Sequence, residues 1–169
     1  MINLEKVPMR TQSPEIRNKN FEEVELGYND EEAVEEANRC LNCKIPRCVQ
    51  GCPINIGVVS GFISSIKIPE FISAIKEKDI GKAYKIISES SSLSAICGRV
   101  CPQEKQCEGK CVRGIKGDAI AIGALERYVS DKALINDMQC ESIKEKNNKK
   151  VAIIGSGPAG LACASELIR

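Results

Sequence analysis

The chain has 169 residues, room for one domain or for one domain and the start of another, and its 24 basic and 23 acidic side chains leave a formal charge of +1. That balance points to neither nucleic acid nor an anionic membrane surface as a partner, and no apolar run approaches the roughly 18–20 residues needed to cross a bilayer. Aromatic residues make up 4 % of the chain and Trp is absent, so a core must be built from Ile, Val, Leu and Ala. The N-terminus, MINLEKVPMRTQSPEIRNKN, is polar and has no apolar signal region, which predicts a soluble, cytoplasmic protein.

Residues 15–36 are acidic, and read either as a solvated face or as a docking surface for a partner subunit. Within this run Asn29-Asp30 followed by EEAVEEANRC predicts a capped helix, with acids at its positive N-terminal end, that delivers Cys40. Residues 55–67 are apolar and small. Ile68-Pro69 opens a helix over PEFISAIKEKD, with Pro in its first turn and Phe71, Ile72 and Ile75 on one side. Asp79 is expected to cap the helix of IGKAYKIISES, and Ser94 to start a short turn. Asp118 begins a helical stretch, DAIAIGALERYVSDKALIND, with Ile122, Leu125 and Val129 at helical spacing. No alternating strand pattern occurs in the first 138 residues, and ESIKEKNNKK at 141–150 reads as a linker.

The chain has ten Cys and no His. Cytosolic chains do not keep disulfides, so clustered Cys point to metal binding or catalysis. The missing His excludes mixed Cys/His zinc fingers and His-based acid–base chemistry within the chain. Eight Cys form two groups, Cys40-x2-Cys43-x4-Cys48-x3-Cys52-Pro53 and Cys97-x3-Cys101-Pro102-x4-Cys107-x3-Cys111, while Cys140 and Cys163 stand apart. Three readings compete: iron–sulfur clusters, structural zinc on four thiolates, and disulfides or merely buried thiols. Two runs of four, rather than pairs, and two Cys-Pro steps favour iron–sulfur. In bacterial-type runs the Cys before Pro ligates the other cluster, a role Cys52 fits. Lys44, Arg47, Arg99, Lys105, Lys110 and Arg113 crowd the loops. Positive charge there would stabilise a reduced, anionic cluster, although solubility alone would also account for it.

Val151-Ala-Ile-Ile-Gly155-Ser-Gly157-Pro-Ala-Gly160 matches a dinucleotide fingerprint between an apparent strand and the helical LACASELIR. Gly155 permits the tight turn, Gly157 lets backbone approach a pyrophosphate, and Gly160 lets helix pack on strand. The acidic ribose ligand expected after a second strand is not reached before Arg169. One strand and one helix leave unpaired edges and an uncovered helix face, so the reading is a piece of a longer protein that binds no FAD or nicotinamide nucleotide by itself.

The segments NFEEVELGY at 20–28, EEANRCLNCKIPRCVQGCPINI at 35–56, CGRVCPQEKQCEGKCVRG at 97–114 and IAIGALERYV at 120–129 resemble the N-terminal cluster domain of the NADPH-dependent glutamate synthase small subunit. VAIIGSGPAGLACA resembles the start of its FAD domain. The large subunit of electron-bifurcating ferredoxin–NADP oxidoreductases and the N-terminal part of dihydropyrimidine dehydrogenase share the arrangement. GVVSGFISSIK looks longer than the family pattern. The resemblance implies a mainly α, alpha-helical ferredoxin-like domain over 1–140 holding two 4Fe-4S clusters, a linker over 141–150, and over 151–169 the first strand and helix of a truncated Rossmann-type FAD domain. It also implies crossed ligation. One cluster would use Cys40, Cys43 and Cys48 with Glu126, and the other Cys52, Cys101, Cys107 and Cys111, leaving Cys97 spare. The plainer reading of Glu126 is an exposed helical Glu.

The function so implied is electron transfer inside an oxidoreductase. NADPH would reduce FAD in the complete protein, and the clusters would pass single electrons to the glutamate synthase large subunit or an equivalent redox partner. No residue is assigned a catalytic role. The alternatives are the ferredoxin–NADP oxidoreductase subunit and, in another class, a metal-stapled docking domain without a redox role.

Overall fold

The computed structural model of the chain describes residues 3–55, 65–138 and 148–168. The fold is mainly α. Two short antiparallel strands, β1 (Arg10–Thr11) and β2 (Glu25–Gly27), flank a single-turn helix α1 (Pro14–Arg17). Then come α2 (Asp30–Asn38), α3 (Arg47–Gly51), α4 (Ile68–Lys76), α5 (Ile80–Ser88) and α6 (Ser94–Val100). Three 3-10 turns follow at Gln103–Lys105, Glu108–Lys110 and Val112–Ile115, and then α7 (Ile122–Ile135) and α8 (Pro158–Ile168).

The capped helices form where their start signals lie. The Asn29 side chain accepts from Glu32 N at 2.8 Å while Glu32 Oε2 accepts from Asn29 N at 2.7 Å, a reciprocal capping box that fixes the start of α2. Asp79 accepts from Lys82 N at 2.9 Å and starts α5. Pro69 sits in the first turn of α4, where the missing N–H costs nothing. Ala33 and Ala37 of α2, Phe71, Ile72 and Ile75 of α4, Ala83 and Ile87 of α5, and Leu125 and Val129 of α7 are buried together as the core. Each fully buried Ile, Leu or Phe contributes about 1.5–3 kcal/mol. α7 is the central element, packing on α6, α5, α2 and α4.

A buried charge network ties the N-terminal arm to this core. Arg39 and Glu36, 2 % and 0 % exposed, pair at 2.5 Å. Glu36 also accepts from Val7 N and Ala121 N, each at 2.8 Å. Arg39 donates to the carbonyls of Leu4 at 3.0 Å and Asp118 at 2.7 Å. Nearly every donor and acceptor of the pair is satisfied, the condition under which a desolvated ion pair is tolerated.

Several sequence expectations change here. The β1–β2 ribbon is present although no alternating pattern announces it. The expected turn at Ser94 is the first residue of helix α6. α7 begins at Ile122 rather than near Asp118, because the Asp118 carboxylate accepts from Lys6 N at 3.0 Å and its carbonyl is engaged by Arg39. The acidic run is only partly a solvated face: Glu36 is core, Glu32 is a cap, and Glu23 and Asp30 pair with Arg99 and Lys132 at 2.7 and 2.6 Å. The expected strand over Val151–Gly155 is not formed; the segment is exposed, with no strand partner among the described residues. The strand-to-helix turn does form. Gly155 has φ +102°, and a Cβ on Gly160 would stand 2.2 Å from the Gly155 carbonyl oxygen. Cys140 and most of the small-residue stretch at 55–67 lie outside the described residues.

Candidate metal centre

Four arms bring the thiols together. The C-terminal end of α2 delivers Cys40 and, after a short loop, Cys43; α3 carries Cys48 and ends at Cys52. α6 carries Cys97 and ends at Cys101. The 3-10 turns hold Cys107 and Cys111, whose extended backbone (φ -66°, ψ 127°) breaks the second turn from the third. Two close approaches make this possible. A Cβ on Gly51 would lie 2.5 Å from the Gln106 carbonyl oxygen, so only Gly lets α3 reach the 3-10 segment beside Cys107. A Cβ on Gly98 would lie 2.8 Å from the Arg127 backbone, so α6 can lie directly on α7. The Ser94–Ser130 hydroxyl pair at 2.8 Å reinforces that seam.

The thiols fall into two groups. Cys40, Cys43, Cys48 and Cys111 line one concavity, closed by apolar side chains that include Pro46, Ile68 and Ile72, and by Arg47 and Arg113. Cys111 and Cys43 are the thiols within electrostatic reach of both Cys40 and Cys48. The second group is Cys52, Cys97, Cys101 and Cys107, with the Glu126 carboxylate within electrostatic reach of all four. This grouping of side chains differs from the sets the resemblance implies. Cys111, not Glu126, joins Cys40, Cys43 and Cys48, and Glu126 stands with Cys52, Cys101 and Cys107. Cys97, expected to be spare, lies in the same group, with the Ser91 side chain holding its rise in check.

Electrostatics says what these groups can hold. Burial pushes the thiols of Cys40, Cys52, Cys97 and Cys101 upward, that of Cys48 to about 11 and that of Cys107 higher still. Neighbouring thiols add to the rise in each group. Burial likewise lifts Glu126 to about 7. Burial so disfavours charge on Cys40, Cys48, Cys52, Cys97, Cys101 and Cys107 that as thiolates they need compensating positive charge, which a metal core would supply. Among the described residues no three Cys, Asp or Glu side chains converge closely enough to hold a single metal ion. Donors that share a wall without converging on a point suit a core several Å across. A buried donor adds to the fit: Arg113 Nε–H, in the wall of the first group, has no hydrogen-bond partner among the described residues.

Of the basic residues the sequence singles out, Arg47 and Arg113 reach a thiol site. Arg99 is spent elsewhere, bonding Glu23 at 2.7 Å and Asp131 at 2.9 Å. The sequence reading missed Lys76, which lowers Cys40 electrostatically and donates to its carbonyl at 2.8 Å. Its position late in α4, far from either Cys motif, gave no local signal. Gly155 and Gly157 precede α8, Gly160 lies in its first turn, and Cys163 on that helix is exposed.

Comparison with known proteins agrees with this donor chemistry. The family model described as dihydropyrimidine dehydrogenase domain II, 4Fe-4S cluster, matches residues 17–138. The glutamate synthase [NADPH] small chain of Halomonas elongata is 37 % identical over 166 residues, 98 % of this chain and 32 % of that protein. That of Escherichia coli is 36 % identical over 169 residues, 99 % and 34 % of the two chains. The NAD-dependent dihydropyrimidine dehydrogenase subunit PreT of Salmonella typhimurium is 35 % identical over 147 residues, 87 % and 33 %. The chain thus spans about a third of the length of these curated relatives.

Proposed function

The chain belongs to the dihydropyrimidine dehydrogenase domain II, 4Fe-4S cluster family, and from that premise we propose that it holds two 4Fe-4S clusters and relays electrons between a flavin module and a partner subunit. The first cluster is held by Cys40, Cys43, Cys48 and Cys111. The second is held by Cys52, Cys101, Cys107 and Glu126, with Cys97 beside it but not on iron. The observation that carries this is the grouping of eight thiols, delivered by four arms, into two sites, one of them with a carboxylate at its edge.

When bound, the clusters supply one-electron redox chemistry. The chain's own residues do the rest. Isoleucines and prolines exclude water from the first site. Before metal is bound, Gln106 Oε1 accepts from the Cys101 thiol at 2.9 Å and holds that side chain in place, a bond given up when the thiol loses its proton to bind iron. Glu126 offers a hard oxygen ligand among sulfurs, which makes the second cluster distinct in potential and easier to lose. The turn of Gly155, Gly157 and Gly160 reads as the start of a Rossmann-type FAD domain, placing domains at 1–140 and 151–169 with a linker at 141–150. FAD and NADPH act in the complete protein, and the names of the relatives favour a glutamate synthase small chain. Its partner is then the large subunit. A ferredoxin–NADP oxidoreductase subunit uses the same cluster domain.

Anaerobic reduction tests the relay. Dithionite is expected to bleach a brown absorption with uptake of about two electrons per chain, one per cluster. A colourless protein that takes up no electrons would leave a metal-stapled docking domain instead.

A further inference from the structure

Arg113 follows Cys111 by two residues, on the 3-10 turn Val112–Ile115, and its side chain forms part of the wall of the first thiol site. One end of its guanidinium is anchored, Nη2 donating to the Asn3 carbonyl. Its Nε–H is buried and has no hydrogen-bond partner among the described residues. A buried, charged N–H left without an acceptor is costly, and native structures seldom keep one without a reason. The wall explains what is missing. Its side chains are four Cys, Arg47, Arg113 itself and apolar groups such as Leu41, Ile72 and Ile122, with no carboxylate, amide or hydroxyl among them. The side-chain acceptors this wall can offer Nε–H are sulfurs.

We propose that Arg113 donates a hydrogen bond through Nε–H to a sulfur of the first cluster, either a bridging sulfide or a cysteine ligand, and thereby raises the potential of that cluster and not of the second. Donors to cluster sulfurs and nearby positive charge both favour the reduced, more anionic state. The Asn3 carbonyl engages a terminal nitrogen of the fork and leaves Nε without an acceptor. Arg99, on the second Cys arm, cannot play the same part, because Glu23 and Asp131 already neutralise it. The inference rests on the two-cluster reading and fails separately from it: the iron content of the unaltered protein checks that reading, and the comparison of variants checks this one.

The experiment is a potentiometric titration followed by EPR on anaerobic full-length protein, unaltered and carrying Arg113→Gln or Arg113→Lys, with iron counted in each. With iron unchanged, the wave of one cluster is expected to move to lower potential in both variants while the other stays in place. Lys keeps the charge but lacks the fixed planar Nε–H, so it should not restore the wave. Unmoved waves, an equal fall of both waves, or full recovery in Arg113→Lys would each overturn the hydrogen bond. Should the variants lose iron, the decision passes to 15N-arginine labelling of an Arg47→Lys protein, which leaves Arg113 as the labelled arginine of that wall. Hyperfine coupling of 15N to the reduced cluster is expected, and its absence would overturn the proposal.

Discussion

At the scale of single residues, Cys111 and Glu126 decide how two neighbouring sites are told apart. Cys spacing alone made Cys40, Cys43 and Cys48 a natural trio, and Cys52 a donor that crosses to the second arm. That Cys111 lies with this trio was not legible, because it depends on where the third 3-10 turn folds back. That is set by the distant contacts of Arg39 with Asp118 and Leu4, not by any local pattern. The ligand sets make a sharp prediction. Cys111→Ala should leave about four irons per chain and spare the second cluster. Glu126→Ala should weaken or remove the second cluster and spare the first, whereas Cys97→Ala should keep the full complement. Iron analysis with EPR of the reduced protein checks all three. A first cluster lost in Glu126→Ala would restore the pairing first expected from the sequence.

At the scale of elements, the legible parts were those with local signals. α2, α4 and α5 announce themselves by Asn29, Pro69 and Asp79 followed by apolar residues at helical spacing. α6 does not: it has no side-chain cap and contains Gly98, and it is a helix because it lies on α7. The acidic run misled for a related reason, since composition does not reveal that Glu36 is the buried partner of Arg39. Two substitutions test these elements. Arg39→Ala leaves Glu36 buried and unpaired, and should cost about 3–5 kcal/mol of stability in denaturant unfolding. Gly98→Ala drives a methyl against the Arg127 backbone, and should cost about 1–3 kcal/mol. Because Gly98 follows Cys97 and the seam carries Glu126, Gly98→Ala should also lower the occupancy of the second cluster before the first.

At the scale of the whole molecule, each proposed cluster joins arms that come from both Cys motifs, so the clusters staple α2 and α3 to the 3-10 segment and to α7. Their binding energy is then partly folding energy. Removing iron by chelation under reducing conditions should lower helical circular dichroism and broaden the melting transition; an unchanged melt would show that the apolar core alone is sufficient. The pH dependence of assembly follows from the raised thiols. Metal takes thiolate, and the thiols that burial raises hold their protons in the bare protein, so assembly releases protons and becomes more favourable as pH rises toward the range of Cys48, pushed up to about 11. Reconstitution in weak buffer should therefore acidify the solution, and its yield should climb from pH 7 to 9.

Iron and acid-labile sulfide per chain in anaerobically purified protein measure the pair of clusters most directly. Two 4Fe-4S clusters require about eight of each. Zinc in their place, with no sulfide, would contradict the pair.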